Sequence, residues 1–391
     1  MKANINTHRS LSSFTWTEVT NAASWSVRGN AQVVVYDNKI YIMGGGTNDV
    51  WSSADGATWN QVTGSASWSS RSLFASVVYN NKIYIFGGQA SLRVGDVYSS
   101  DDSGVTWNQV SALASWGTRQ GHSALVYDNK MYIIGGAGSS YLNTIYTSTD
   151  GASWTQISGS IGWSGRNYHA CLVYGSKIYV MGGNSGASVH NDVWHSIDGG
   201  VNWIEATGSA GWSARRGHTG IVYDNKIYIM GGWTVGSDVG GGVSLNDVWT
   251  SSDGGVNWIQ AFVAADWNIR SGLSSVVLDS QLYVMGGGGV NDVWALIDQP
   301  TGEPTGQPTT QPTGEPTGHP TTQPTGEPTG QPTQPTSQPT TTPKTFRNSV
   351  QQHVGDVSSQ VMEDMATVQE GMKSGIKGLK YALKELFHRE L

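Results

Sequence analysis

Two hydrophobic patterns divide the chain. From about residue 14 to residue 298, apolar residues come in short runs such as His122-Ser-Ala-Leu-Val-Tyr127 and Lys39-Ile-Tyr-Ile-Met43, with Gly, Asn or Asp between them. Runs of this length, rich in Val, Ile and Tyr and bounded by turn residues, predict β-strands. Beyond residue 344 the spacing changes. Phe346, Val350, Val354, Val357, Val361, Met365, Val368, Met372, Ile376, Leu379, Leu383 and Phe387 are separated by steps of 4, 4 and 3, a period of 11. That period keeps one face of a helix apolar along an almost straight stripe, so 344–391 is expected to form a single amphipathic helix. Residues 299–343 carry almost no apolar side chain and fit neither pattern.

The strand-rich part is built from repeats. Trp16, Trp59, Trp107, Trp154, Trp203 and Trp258 each open a unit, and nine residues later stands Trp25, Trp68, Trp116, Trp163, Trp212 or Trp267. Three residues further on is always an arginine: Arg28, Arg71, Arg119, Arg166, Arg215, Arg270. Seventeen residues beyond each arginine comes the second Gly of a Tyr-x-x-Gly-Gly motif, from Tyr41 to Tyr283. A fixed period of this kind signals a modular architecture. Each unit reads as four strands, the first two joined by a tight turn such as Asp128-Asn129 or Asn80-Asn81, whose residues tolerate positive φ. The sixth unit ends after its third strand, at Asp298. Thr15-Trp16-Thr17-Glu18-Val19, at the other end of the chain, is expected to supply its fourth and close the ring.

Arg-x-x-His before an apolar strand, Tyr-x-x-Gly-Gly closing the next and Asp-Val-Trp opening the third resemble the Kelch repeat of galactose-oxidase-like propellers. Ser100-x-Asp102-x-Gly104-x-x-Trp107, with its counterparts at Ser196 and Ser251 and shorter versions at Ser53 and Ser148, is similar to the Asp-box hairpin of sialidase-type propellers. The resemblance implies an all-β fold, a six-bladed β-propeller of four-stranded blades over 14–298. A Pro/Thr/Gly-rich linker (299–343) and the amphipathic helix (344–391) would follow. An architecture shared by many activities names a fold and not a function.

Length varies at one place per unit, between the Gly pair and the third strand. These segments share a rim with the Trp-x-x-Arg segments, opposite the Asp-Asn turns, and loops on a rigid scaffold are where binding residues gather. The longest, Trp233 to Asn246, holds a lone extra tryptophan and Asp238, and reads as a Gly-rich flap. With it, Arg93, Tyr141 and His190 become candidate ligand or partner contacts. The arginines are expected to pair with the acid that opens the third strand in five units. The third unit has Thr144 there, which leaves Arg119 without its acid and makes it the candidate for an anion. His122, His169 and His218 share one repeat position, where packing is a better account than metal ligation.

Composition narrows the function. A net charge of −7 argues against nucleic acid as a partner. The single cysteine, Cys171, excludes an internal disulfide framework, and its apolar strand offers neither the histidine pair nor the second tyrosine that copper-oxidase chemistry needs. Glu18 and Glu205 are the only glutamates of the repeat region, and both fall on outer strands, which removes the Tyr–Glu pair of a sialidase. No cofactor or metal is expected. The expectation is a non-enzymatic recognition protein that binds a protein or a glycan on the loop rim. A carbohydrate-active enzyme of oxidase or mutarotase/epimerase type is the alternative.

The 12 prolines all lie in 300–343, nearly every one followed by threonine, which suits an extended stalk of polyproline II character. The tail stripe over 346–387 is expected to self-associate. Its basic end over 371–391 would alternatively lie on a membrane surface, or the stripe would dock on a separate partner. The stalk suggests an extracellular or cell-surface protein, although no signal peptide or membrane-spanning run is evident in the sequence. Otherwise the location would be cytoplasmic.

Overall fold

A computed structural model describes residues 14–298 apart from 158, 160, 187 and 236–240. The linker and the tail helix expected from the sequence lie outside the described residues. Over the described part the strands form six antiparallel sheets of four, the blades of a closed propeller. In blade one these are Gln32–Tyr36, Lys39–Met43, Val50–Ser53 and Asn60–Thr63. In blade six, Ser274–Leu278, Gln281–Met285 and Val293–Asp298 are joined by Phe14–Thr20 from the start of the chain. Phe14 pairs with Asp298 and Trp16 with Leu296, so the first strand closes the last blade as expected.

The repeat residues explain the geometry. The hairpin between the first and second strands turns on two residues that both have positive φ, such as Asp128 (46°) and Asn129 (54°), a twist that matches the flanking strands. The tryptophans nine residues apart face different blades. The second of one unit meets the first of the next edge to face, as in Trp25 with Trp59 (5.8 Å, 86°) and Trp163 with Trp203 (5.7 Å, 83°). Trp267 meets Trp16 in the same way, and this contact welds the closing strand into its blade. Edge-to-face pairs of this kind contribute about 0.5–1.5 kcal/mol each beyond the area they bury. The Ser-x-Asp turns are capped from within: Ser100 Oγ accepts the Gly104 N–H, while the Asp102 carboxylate accepts from Ser100 Oγ and Thr106 N–H.

The variable segments are more regular than loops. In blades two, four and five the second and third strands run on past the rim as hairpins: Lys82–Gln89 with Arg93–Ser100, Lys177–Asn184 with Val189–Ser196, and Lys226–Val235 with Gly242–Ser251. Each crosses a β-bulge at the first Gly of the pair, between Phe86 and Gly88, Met181 and Gly183, or Met230 and Gly232. The Gly there has a φ of 53–60°, which bends the hairpin without a Cβ clash. The flap expected from Trp233 onward is therefore largely a β-hairpin, with Trp233 paired to Ser244 and Val235 to Gly242.

Candidate functional site

Five of the six repeat arginines are buried and grip an aspartate of their own blade: Arg28–Asp49, Arg71–Asp96, Arg166–Asp192, Arg215–Asp247 and Arg270–Asp292, at 2.5–2.9 Å. Each guanidinium also donates to the first Gly carbonyl of its blade, as Arg166 does to Gly182 at 3.0 Å. Each arginine carbonyl accepts from the second Gly of the neighbouring blade, as Arg166 does from Gly136 at 2.8 Å. The arginine thus locks its own blade with its side chain and the next with its backbone, which accounts for the constant spacing of seventeen. Burial alone would raise the Asp192 carboxyl. The Arg166 guanidinium and the Trp194 indole N–H more than offset it and hold the carboxyl below its ordinary value.

Blade three departs as the sequence suggested, and goes further. Arg119 faces Thr144 Oγ1 at 3.4 Å and no carboxylate, and its guanidinium lies between the Trp116 and Tyr146 rings. Burial without a counter-charge lowers its pKa to about 10. Only 1% of the residue is exposed, so an anion arriving from solvent does not meet it at the surface.

Around the axis the backbone makes a closed belt. Two residues after each repeat arginine, Asn30, Leu73, Gly121, Tyr168, Gly217 and Gly272 all adopt φ between 55° and 66°. Each donates its N–H to the carbonyl of its counterpart in the adjacent blade, at 2.8–3.3 Å, until the sixth returns to the first. Three of these are not glycine; Asn30 tolerates the left-handed region, whereas Leu73 and Tyr168 carry its penalty of roughly 1–2 kcal/mol each. The belt and the innermost strands line a channel of about 280 Å³ with Ser123, Cys171 and Thr219 among its walls.

His122, His169 and His218 sit one residue past the belt, tilted against Trp116, Trp163 and Trp212. Neither nitrogen of any of these rings makes a well-aligned hydrogen bond. Burial lowers all three pKa values, to about 3 for His169 and His218. They are neutral packing groups. No cluster of three metal-ligating side chains occurs among the described residues. Burial likewise pushes the Cys171 thiol up to about 12, far from a reactive thiolate.

On the loop-rim side of the belt a second cavity, of about 240 Å³, is lined by Asn30, Tyr168, Arg216, Gly217, Trp233, Ser271 and Gly272. Trp233 is fixed by backbone bonds to Arg216 in both directions, at 2.8 and 2.9 Å, and the Arg216 guanidinium lies 4.4 Å from the Trp233 ring centre. Burial raises the Tyr168 phenol, and the charge of Arg216 works against that rise. Arg216, Tyr168 and Asn30 were not singled out from sequence, although a signal existed. Arg216 alone is charged among Gly29, Ser72, Gln120, Asn167, Arg216 and Ser271, and the belt position is Gly in three units.

Of the residues expected on this rim, Trp233 alone lines the cavity. Tyr141 accepts from Asn184 Nδ2 (3.3 Å) and covers Gly186 of the next blade. His190 is half-buried with Nε2 2.9 Å from Ser185 Oγ, and burial, then the Arg166 charge, lowers its pKa. Arg93 is exposed beside Leu92 at the start of a hairpin strand. Asp238 lies outside the described residues.

The two rims differ in charge. The turn rim carries Asp37, Asp128, Asp224 and Asp279 at the first hairpins and Asp55, Asp101, Asp102, Asp150, Asp198 and Asp253 at the second, against Lys39, Lys82, Lys130, Lys177 and Lys226. Among the described residues of the loop rim, the charged groups outside the arginine–aspartate pairs are the buried Arg119 and, nearer the surface, Arg93, Arg216 and Asp266. Large apolar side chains are exposed there with little charge around them, including Leu92 (76%), Val263 (79%) and Ile269 (61%), whereas those exposed on the turn rim, Val105, Ile197, Val201 and Val256, stand among its aspartates. The chain leaves the last blade at Asp298 on the turn rim, away from this surface.

Comparison with known proteins gives three results. A family model described as the KLHDC2/KLHL20/DRC7 Kelch-repeats domain matches residues 6–136, 47–203 and 114–287, and one described as the PT disordered repeat matches residues 298–333. No curated protein matches the chain. The solved structure described as "Structure of YjhT" superposes with a TM-score of 0.60 at 15% identity, covering 70% of this chain and 95% of that one, a likeness of fold.

Proposed function

The chain belongs to the Kelch-repeat family of β-propeller proteins, and from that premise we propose that it is a non-enzymatic recognition protein whose loop rim binds a protein partner. The observation that carries this reading is the contrast between the rims. A surface depleted of charge yet exposing Leu92, Val263 and Ile269 has the make-up of an interface core. The opposite rim, dense in aspartate and lysine, has that of a solvated face. The stripe over 346–387, outside the described residues, is the element proposed to gather copies or to anchor them.

The test uses full-length protein as bait. Leu92→Asp and Val263→Asp on the loop rim are compared with Ile197→Asp on the turn rim, and captured proteins are quantified. Partners lost with the first two and kept with the third support the assignment. The reverse pattern refutes it. Light scattering on the full chain and on a version ending near residue 343 tests the tail, since two monomers would end the self-association reading.

A further inference from the structure

Arg119 lacks the partners that the other repeat arginines share. In five blades the guanidinium gives Nη1 and Nη2 to the two oxygens of an aspartate, as Arg166 does with Asp192. In the same five, Nε donates to the carbonyl two residues earlier, Ser164 O in the case of Arg166. In four of them the serine at that earlier position also accepts from Nη2 through its hydroxyl. Blade three changes both residues. Thr144 stands in place of the aspartate and Gly117 in place of the serine. Arg119 keeps Gly135 O on Nη1 and gives Nη2 to Trp116 O, but Nε has no hydrogen-bond partner although only 1% of the residue is exposed.

The rings beside it do not take the place of the acid. The guanidinium carbon lies 5.6 and 5.4 Å from the Trp116 and Tyr146 ring centres, yet Arg71 has the matching pair, Trp68 and Tyr98, and holds Asp96 as well. Burial lowers the Arg119 pKa only to about 10, so the group is charged at neutral pH. A buried charge without its partner is strongly destabilising. Two features suit a small anion here. The Thr144 hydroxyl, 3.4 Å from Nη1, has a proton to donate, as does the unpartnered Nε. Gly117 brings no side chain to the connector, and a Cβ there would have no atom within 4 Å.

We propose that blade three encloses one monovalent inorganic anion of halide size, chloride in ordinary media, beside Arg119. It is the counter-charge that an aspartate supplies in the other five blades. Its single charge matches the single guanidinium, and it accepts from the Arg119 Nε–H and the Thr144 hydroxyl. Because the arginine is buried, the ion exchanges when blade three opens and not at an open surface.

The probe is chloride itself, exchanged for gluconate at constant ionic strength, with urea unfolding of the full-length protein as the readout. Above the dissociation constant, each tenfold rise in chloride should raise the folded-to-unfolded ratio about tenfold. Bromide should act in the same way. Thr144→Asp carries its own counter-charge and Arg119→Met has no charge to answer, so both should lose this dependence. The gain in stability from Thr144→Asp should accordingly be larger in gluconate than in chloride. Equal stability of the wild type in chloride and gluconate overturns the proposal. An equal chloride response in the wild type and either variant also overturns it, because the ion then binds elsewhere. Should neither variant fold, crystals of the wild type grown in bromide decide the matter. Anomalous scattering within hydrogen-bond reach of Arg119 Nε supports the site, and its absence there overturns it.

Discussion

Replacing His169 with leucine removes a titrating group from between two blades while nearly preserving the volume packed there. The molecule already uses this solution, since Phe74 and Leu273 occupy the same repeat position. Folded His169 has its pKa lowered from 6.5 to about 3 by burial and then by the Arg166 charge. The unfolded chain therefore binds this proton first as pH falls, and stability is lost below about pH 6.5 rather than gained. At about pH 5 the unfolded ring is protonated and the folded ring is not. The loss is then about 1.5 pH units at 1.36 kcal/mol each, or about 2 kcal/mol. Any folded value below about 4 gives nearly the same figure, because the interval is set by the unfolded pKa and the chosen pH. Carboxylates stay ionised over this window, which isolates the histidines. Urea unfolding of the wild type and of His169→Leu at about pH 7.5 and about pH 5 measures the difference. The wild type should lose about 2 kcal/mol more than the variant on acidification. An equal loss in both would mean that the folded ring accepts the proton, and would refute the account of a dry, neutral histidine.

Two further predictions concern the arginine locks. Asp192→Asn leaves Arg166 buried without its counter-charge and should lower unfolding stability by about 3–5 kcal/mol, read from the urea midpoint near neutral pH. Thr144→Asp restores in blade three the carboxylate that Arg119 lacks. It should raise unfolding stability by an amount on the order of 1–3 kcal/mol, read from a higher urea midpoint, and a lower midpoint would show that the site between Trp116 and Tyr146 does not accept it.

The blade count, the closing strand and the Arg–Asp pairs were legible in the chain because each is a local pattern repeated at fixed distance. Trp-Trp-Arg-Gly-Gly spacing recurs with the same contacts in each blade, and the odd Thr144 by itself singles out Arg119. The belt was not legible, because its bonds join Asn30, Leu73, Tyr168 and three glycines drawn from six different blades. No stretch of sequence contains two of its members close together. Arg216 and Trp233 meet for the same kind of reason: they lie seventeen residues apart, and only the bulge at Gly231 and the hairpin beyond it bring the indole beneath the guanidinium. Local spacing encodes the modules and their locks. Closure of the ring decides which side chains share the mouth, because proximity there is a property of the whole circle and of no single repeat.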